Sequence, residues 1–193
     1  MSTLAAPELD ALVRREHANP HTILGAHPHP QGVLIRALRP GACAVTAHAE
    51  DGTSAELEQI HGGGVFAGLL EGGELPLRYR LEVDYGESGT YTIYDPYSFA
   101  PTLSEYDLYL IGEGRHEQIY EKLGSHPGQH QGVPGTAFAV WAPAARAVSV
   151  VGDFNSWDGR LHAMRSMGAS GVWEIFLPDV APGARYKYEV LGA

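Results

Sequence analysis

Three groups of residues in this 193-residue chain have types and spacings that could do chemistry. The first is "GDFNSWDGR", Gly152 to Arg160, where Asp153 and Asp158 flank Trp157. Paired carboxylates for glycoside chemistry need one acid with a raised pKa and one ionised partner at a set separation. Two Asp in a Gly, Asn and Ser turn have no apolar pocket to split them, so turn formation accounts for both. The second is "HANPHTILGAHPHP", with His17, His21, His27 and His29. An i, i+4 histidine pair binds metal from a continuous helix, but Pro20 drives Asn19 out of the α region between them, which points to structural or turn roles. The third is Cys43, the only cysteine, set in an apolar alternating run where a small core filler is expected. No catalytic residue, no metal site and no cofactor site is therefore expected.

What remains is the tryptophan. Large aromatics belong in cores or on contact surfaces, so an indole among turn-formers either plugs the end of a sandwich or waits for a flat partner. Composition leaves those two possibilities even. Trp141 and Trp173 differ, since both lie in strand-like runs, "FAVWAP" and "GVWEIF", where core roles are expected. Phe154 alternates out of "SVVGDF" and is also expected in the core.

The neighbouring segment "ARYKYEVLG" alternates with period two. Tyr186, Tyr188 and Val190 then face the core, leaving Lys187 and Glu189 on the open face. A loop from Gly152 to Arg160 can arch over that face and bring Trp157 beside Lys187. Such a pair suits a sugar, because the indole covers the C–H face of a pyranose while polar groups take its hydroxyls.

The elements that must hold these residues are mostly strands. Across the chain 24 Gly and 13 Pro punctuate short apolar runs, which lie about ten residues apart from Gly32 to Tyr97 and resume at Val133. A short helix is expected after Pro7 with Leu9, Leu12 and Val13 on one face, ending near Asn19 and Pro20. In "GRHEQIYEKLG", His116, Ile119, Tyr120 and Leu123 fall three and four apart before Gly124, which predicts a linker helix. The fold class is all-β: two tandem immunoglobulin-like β-sandwiches with a short N-terminal helix and a helical linker. The expected divisions are 1–105, 106–132 and 133–193. A formal net charge of -10 without any Lys/Arg cluster argues against nucleic acid and for a neutral or cationic partner. The charged N-terminus and the lack of a long apolar run predict a cytoplasmic protein with no membrane span.

The two strand blocks also echo one another. Pro40, Ala44 and Val45 match Pro143, Ala147 and Val148 at an offset of 103, whereas Phe66 and Tyr79–Val83 match Trp173 and Tyr186–Val190 at 107. The four extra residues fall in the interval that holds Trp157, and function tends to sit on loops carried by a rigid frame.

Four stretches carry a resemblance that covers nearly the whole chain: "NPHTILGAHP", "DPYSFAPTLSEYDLYLIGEGRHEQIYEKLGSHP", "GTAFAVWAPAARAVSVVGDFNSWDGR" and "SGVWEIFLPDVAPGARYKYEV". The chain resembles the N-terminal part of bacterial 1,4-α-glucan branching enzymes. The third and fourth stretches alone are shared across α-amylase-like enzymes, including debranching and trehalose-forming ones, while the first two are peculiar to branching enzymes. The resemblance implies an N-terminal sandwich and a family 48 carbohydrate-binding module, truncated at its C-terminal end, ahead of a catalytic barrel not present in these residues. It also implies that Trp157 and Lys187 match glucan-contact positions and that the partner is an α-1,4/α-1,6 glucan. A stand-alone glycogen-targeting module and a protein-interaction sandwich are the other classes.

Overall fold

The computed structural model describes residues 5–192. It divides into two compact units: one holds the segment ending at Arg14 together with His21–Ser98, the other Arg15–Pro20 and the chain from Phe99 onward. The first unit opens with α1 (Ala6–Val13), entered through Pro7, with Leu9 and Leu12 buried. It ends at Arg14, earlier than the expected stop at Pro20, because Arg15 adopts a left-handed conformation (φ 62°).

Seven strands follow: β1 (Gly25–His29), β2 (Gly32–Leu38), β3 (Ala44–Ala49), β4 (Ser54–His61), β5 (Val65–Glu71), β6 (Tyr79–Asp84) and β7 (Thr90–Tyr94). They form one antiparallel array in the order β1-β2-β5-β4-β3-β6-β7. β4 belongs to both halves: Ser54–Leu57 pairs with β3 and Glu58–His61 with β5, with an irregular register between Gln59 and His61. A strand that changes partners part-way folds the array over on itself, so that Ile35, Ala37, Phe66 and Leu70 meet Val45, Ala47, Leu81 and Val83 in one apolar core.

The second unit contains α2 (Glu105–Gly112) and six strands, β8 (Gly124–His130), β9 (Val133–Trp141), β10 (Ala145–Gly152), β11 (Arg165–Ser166), β12 (Val172–Pro178) and β13 (Tyr186–Gly192). They make a four-stranded sheet β11-β12-β9-β8 and a pair β10-β13, and Ser149 of β10 bridges to Ala163 just before β11. The connectivity is that of the first unit from β1 to β6. A local signature repeats as well. "LGAHP" and "LGSHP" each place a glycine in positive φ (93° at Gly25, 101° at Gly124) and turn a histidine back so that Nε2 of His27 and His126 meets the carbonyls of Leu24 and Leu123 at 3.1 and 3.0 Å.

Between the two sheets of the second unit, Phe138 packs edge-on to Tyr186 at 4.9 Å and tilted against Phe154 at 6.0 Å. Tyr188 donates to the carbonyl of Gly124 at 2.8 Å, tying β13 to β8. The other face of the four-stranded sheet is covered by 99–112. Leu103 and Ile111 pack on Ala139 and Val172, and Phe99 packs at a tilt against Phe176 at 5.0 Å. Under this cover Glu174 is fully buried, 2.7 Å from Arg165 Nε, and its second oxygen accepts from Thr102 N and Oγ1 at 2.8 and 2.5 Å.

The helix expected from His116 to Leu123 is absent. Those residues contain a single 3-10 turn, Ile119–Glu121, and helical backbone lies earlier, in α2. Ser104 caps α2 by accepting from Asp107 N at 3.1 Å, and His116 Nε2 meets the same Asp107 side chain at 3.0 Å. Bringing His116 back to the start of α2 requires the chain to reverse, which it does at Gly114 (φ 65°). Gly124–His130, placed in the linker by sequence, is the edge strand β8. No described helix is long and apolar enough to cross a membrane.

Removing one member of a buried ion pair leaves the other uncompensated, at a cost of about 3–5 kcal/mol. Glu174→Ala is expected to lower the unfolding free energy read from urea denaturation by that amount, and the urea midpoint with it, with a smaller loss for Glu174→Gln, which keeps an acceptor for Thr102. Equal midpoints for Glu174→Ala and wild type would show that this pair does not hold the 99–112 cover in place.

Candidate functional site

The loop after β10 is built around Asn155. The β-strand hydrogen bonding ends at Gly152, and a 3-10 turn Asp153–Asn155 carries the buried Asn155 amide back beneath it. Its Oδ1 accepts from Gly152 N at 2.9 Å, and its Nδ2 donates to Val150 O at 2.9 Å and lies 2.9 Å from His162 Nδ1. Fixing the turn in this way forces the next two residues, Ser156 (φ 52°) and Trp157 (φ 61°), into the left-handed region. That conformation is costly for a bulky residue and persists only where the surroundings over-determine it.

Trp157 consequently projects outward and is 46% exposed. Its indole Nε1 donates to Asp153 Oδ1 at 3.1 Å, and the other oxygen of the same carboxylate accepts from Arg185 Nε at 2.9 Å. The Arg185 bond first, then the Trp157 bond, holds the Asp153 carboxyl below the usual carboxylate range. Asp158 is likewise held low, by Arg160, and also accepts Arg160 N at 2.9 Å in a turn. Neither is a raised-pKa acid of the kind that glycoside cleavage needs.

Lys187 is exposed on β13, opposite Val151. The loop touches this strand on both sides of it. Asp153 binds Arg185, two residues before, and Gly159 lies against Glu189, two residues after, where Arg15 is ion-paired to Glu189. The alternation expected for this strand holds at Tyr186 and Tyr188, which are half-buried. Val190, expected inward, is exposed at the outer end of β13. In the first unit the residue matching Lys187 is Arg80, and it is occupied: its guanidinium sits 4.1 Å above the Tyr94 ring and donates to the Tyr94 hydroxyl.

Two further expectations are corrected. Trp141 is 58% exposed rather than in the core. It pairs with Val172 and shares the outer face with Ala139, away from Phe138 and Val140, and the 99–112 cover does not extend over it. Trp173, one residue out of phase, is buried and donates Nε1 to Ala142 O at 3.1 Å. Cys43 is exposed because it precedes β3 at a turn, its N–H bonded to Asp84 O. Phe154 is half-buried against Phe138, as its phase implies. His17 and His29 each accept a backbone N–H two residues on, from Asn19 and Gln31, in keeping with turn roles.

Sequence reasoning missed the functional interest of Arg185 and of the carboxylate that joins it to Trp157. The four-residue spacing between Asp153 and Trp157 was visible, but Arg185 lies 32 residues from Asp153 and no local pattern links them.

The fold is a pair of β-sandwich units, one of which carries an exposed indole on a braced loop. Residues 5–97 match the family described as the alpha-1,4-glucan branching enzyme GlgB N-terminal domain, and residues 122–193 match carbohydrate-binding module 48, the isoamylase N-terminal domain. Similar curated proteins are "1,4-alpha-glucan branching enzyme GlgB" of Myxococcus xanthus (strain DK1622), 51% identical over 95% of this chain and 25% of that protein, and of Thermobifida fusca (strain YX), 52% identical over 95% and 25%. The one from Kitasatospora aureofaciens is 53% identical over 97% of this chain and 24% of its own. The chain belongs to the GlgB branching-enzyme family as its N-terminal domain and carbohydrate-binding module, and it spans about a quarter of the length of these relatives. Among solved structures, a pullulanase from Anoxybacillus sp. LM18-11 aligns over 86% of this chain and 23% of its own at 16% identity with a TM-score of 0.29.

Removing the Asn155 amide strands a buried donor at Gly152 and an acceptor at Val150, each costing about 1–3 kcal/mol. Asn155→Ala is expected to lower the melting temperature by several degrees and to change the environment of Trp157, read as a shift in its indole N–H resonance. An unshifted resonance would mean that Asn155 does not set the position of Trp157.

Proposed function

We propose that this chain is the glucan-holding part of a branching enzyme, with Trp157 stacking on a glucose ring of an α-glucan and Lys187 donating to its hydroxyls. The intact protein would cleave an α-1,4 bond and pass the freed chain to a 6-hydroxyl, making an α-1,6 branch in glycogen. The observation that carries the reading is the state of the indole. Its one polar atom is already bonded to Asp153, so what it offers a partner is the flat apolar face, and that face is exposed. A neutral sugar also suits a chain with a formal charge of -10 better than a phosphate backbone does. The names of the relatives point to the same substrate class. The proposal places the protein in the cytoplasm.

One stacked ring with a few solvent-exposed hydrogen bonds gives a dissociation constant on the order of 0.1–1 mM, or roughly -5.5 to -4 kcal/mol. Glycogen offers many chain ends, so a tethered site of that strength holds substrate through effective concentration. Trp157→Ala is expected to lose retention on a glycogen affinity gel while its melting temperature stays within about two degrees of wild type. Retention equal to wild type would refute the assignment.

The bond chemistry is assigned to the part of the relatives that this chain does not span. The 193-residue chain incubated with amylose is therefore expected to leave the iodine spectrum unchanged. New α-1,6 linkages formed by the pure chain would overturn that assignment.

A further inference from the structure

Arg185 is strongly exposed, its side chain 81% accessible, and it is its Nε that is engaged, on Asp153. Its Nη groups are turned to solvent. Arg185 lies two residues before Lys187, and on an extended chain that spacing is roughly 7 Å along the strand direction, on one face. Asp153 joins the cation to the aromatic: one carboxylate oxygen takes the Trp157 N–H and the other takes the Arg185 Nε–H. The indole and the guanidinium thereby share one carboxylate, and Asp153 opens a turn that is closed by the buried Asn155 amide.

We propose that the site reads two consecutive α-1,4-linked glucose units, with Asp153 as the positioning residue that orients the Trp157 indole and Arg185 donating from its Nη groups to the hydroxyls of the glucose next to the stacked one. The inference rests on the glucan-contact role given above to Trp157 and Lys187. A fixed fork suits vicinal hydroxyls because two parallel N–H donors meet two acceptors without further loss of side-chain freedom, whereas the Lys187 ammonium is a single mobile donor. With one cation over each ring, affinity must rise from glucose to maltose by more than a lone stacking platform would give.

The test is a titration of the 193-residue chain with glucose, maltose and maltotriose, followed by calorimetry and by the indole N–H resonances, for wild type, Trp157→Ala, Arg185→Ala, Arg185→Lys and Asp153→Ala. Arg185→Ala is expected to weaken maltose and maltotriose about three- to tenfold, the loss of one or two net hydrogen bonds, and to leave glucose unchanged. Arg185→Lys should recover only part of the loss, since it restores charge without the fork. Asp153→Ala should weaken all three sugars and move the Trp157 N–H resonance in the absence of ligand. All these positions are exposed, so unchanged melting temperatures separate loss of contact from loss of fold. If Trp157→Ala abolishes binding while Arg185→Ala keeps the wild-type preference for maltose over glucose, this inference fails and the Trp157 role stands. If the wild type binds none of the sugars, both fail.

Discussion

Everything at the candidate site depends on one buried amide. Where β10 ends, Gly152 N and Val150 O still need partners, and water does not reach them. Asn155 meets both needs with a single side chain, which is possible only if the chain doubles back within three residues. Doubling back forces Ser156 and Trp157 into left-handed backbone and turns the indole away from the core. An apparently wasteful exposed tryptophan therefore follows from the hydrogen-bond requirements of the strand beneath it.

The two units serve as controls for each other. They share strand connectivity, a Leu-Gly-x-His-Pro start with the same histidine turn, and a Tyr-led β strand at the same place in the order. They differ where a ligand would sit. In the first unit β7 adds a strand beyond β6, and its Tyr94 lies against Arg80. The second unit has four more residues between the matched strands and uses them for the Asn155 turn and the Trp157 face. A shared frame does not confer a shared function, which lives in the groups grafted on it.

The all-β class, the likeness of the two strand blocks and the outward phase of Lys187 were legible because each rests on period-two alternation and on Gly and Pro punctuation, which are local properties. The edge strands β1 and β8 were not legible. Both contain proline, Pro28 and Pro127, and read as turns, yet an edge strand tolerates proline because one side of it has no ladder to supply. The helix expected from His116 to Leu123 failed for the opposite reason. Its apolar spacing was helical, but the buried Asp107 carboxylate recruits His116 and Lys122, and satisfying that charge outweighs a short helix with little apolar face to bury. Trp141 was misplaced by residue type. Its phase, out of step with Phe138 and Val140, already put it on the outer face.

The same contrast explains why the polar surroundings of Trp157 escaped notice. Asp153 and Asp158 both read as turn residues, and both are, yet only Asp153 has its two oxygens divided between an aromatic N–H and a cation from a distant strand. Asp158 closes chiefly on Arg160, two residues away, within its own turn. Turn chemistry is written in a few neighbouring residues, whereas a group that orients another depends on which strand the fold brings alongside. Because β13 is paired to β10 in a register that sets Lys187 opposite Val151, Arg185 arrives beside Asp153 as the chain enters that strand. A shift of one residue in this pairing would turn Lys187 inward and Tyr188 outward, so the half-buried tyrosine bonded to Gly124 fixes the charged face as firmly as any contact on that face.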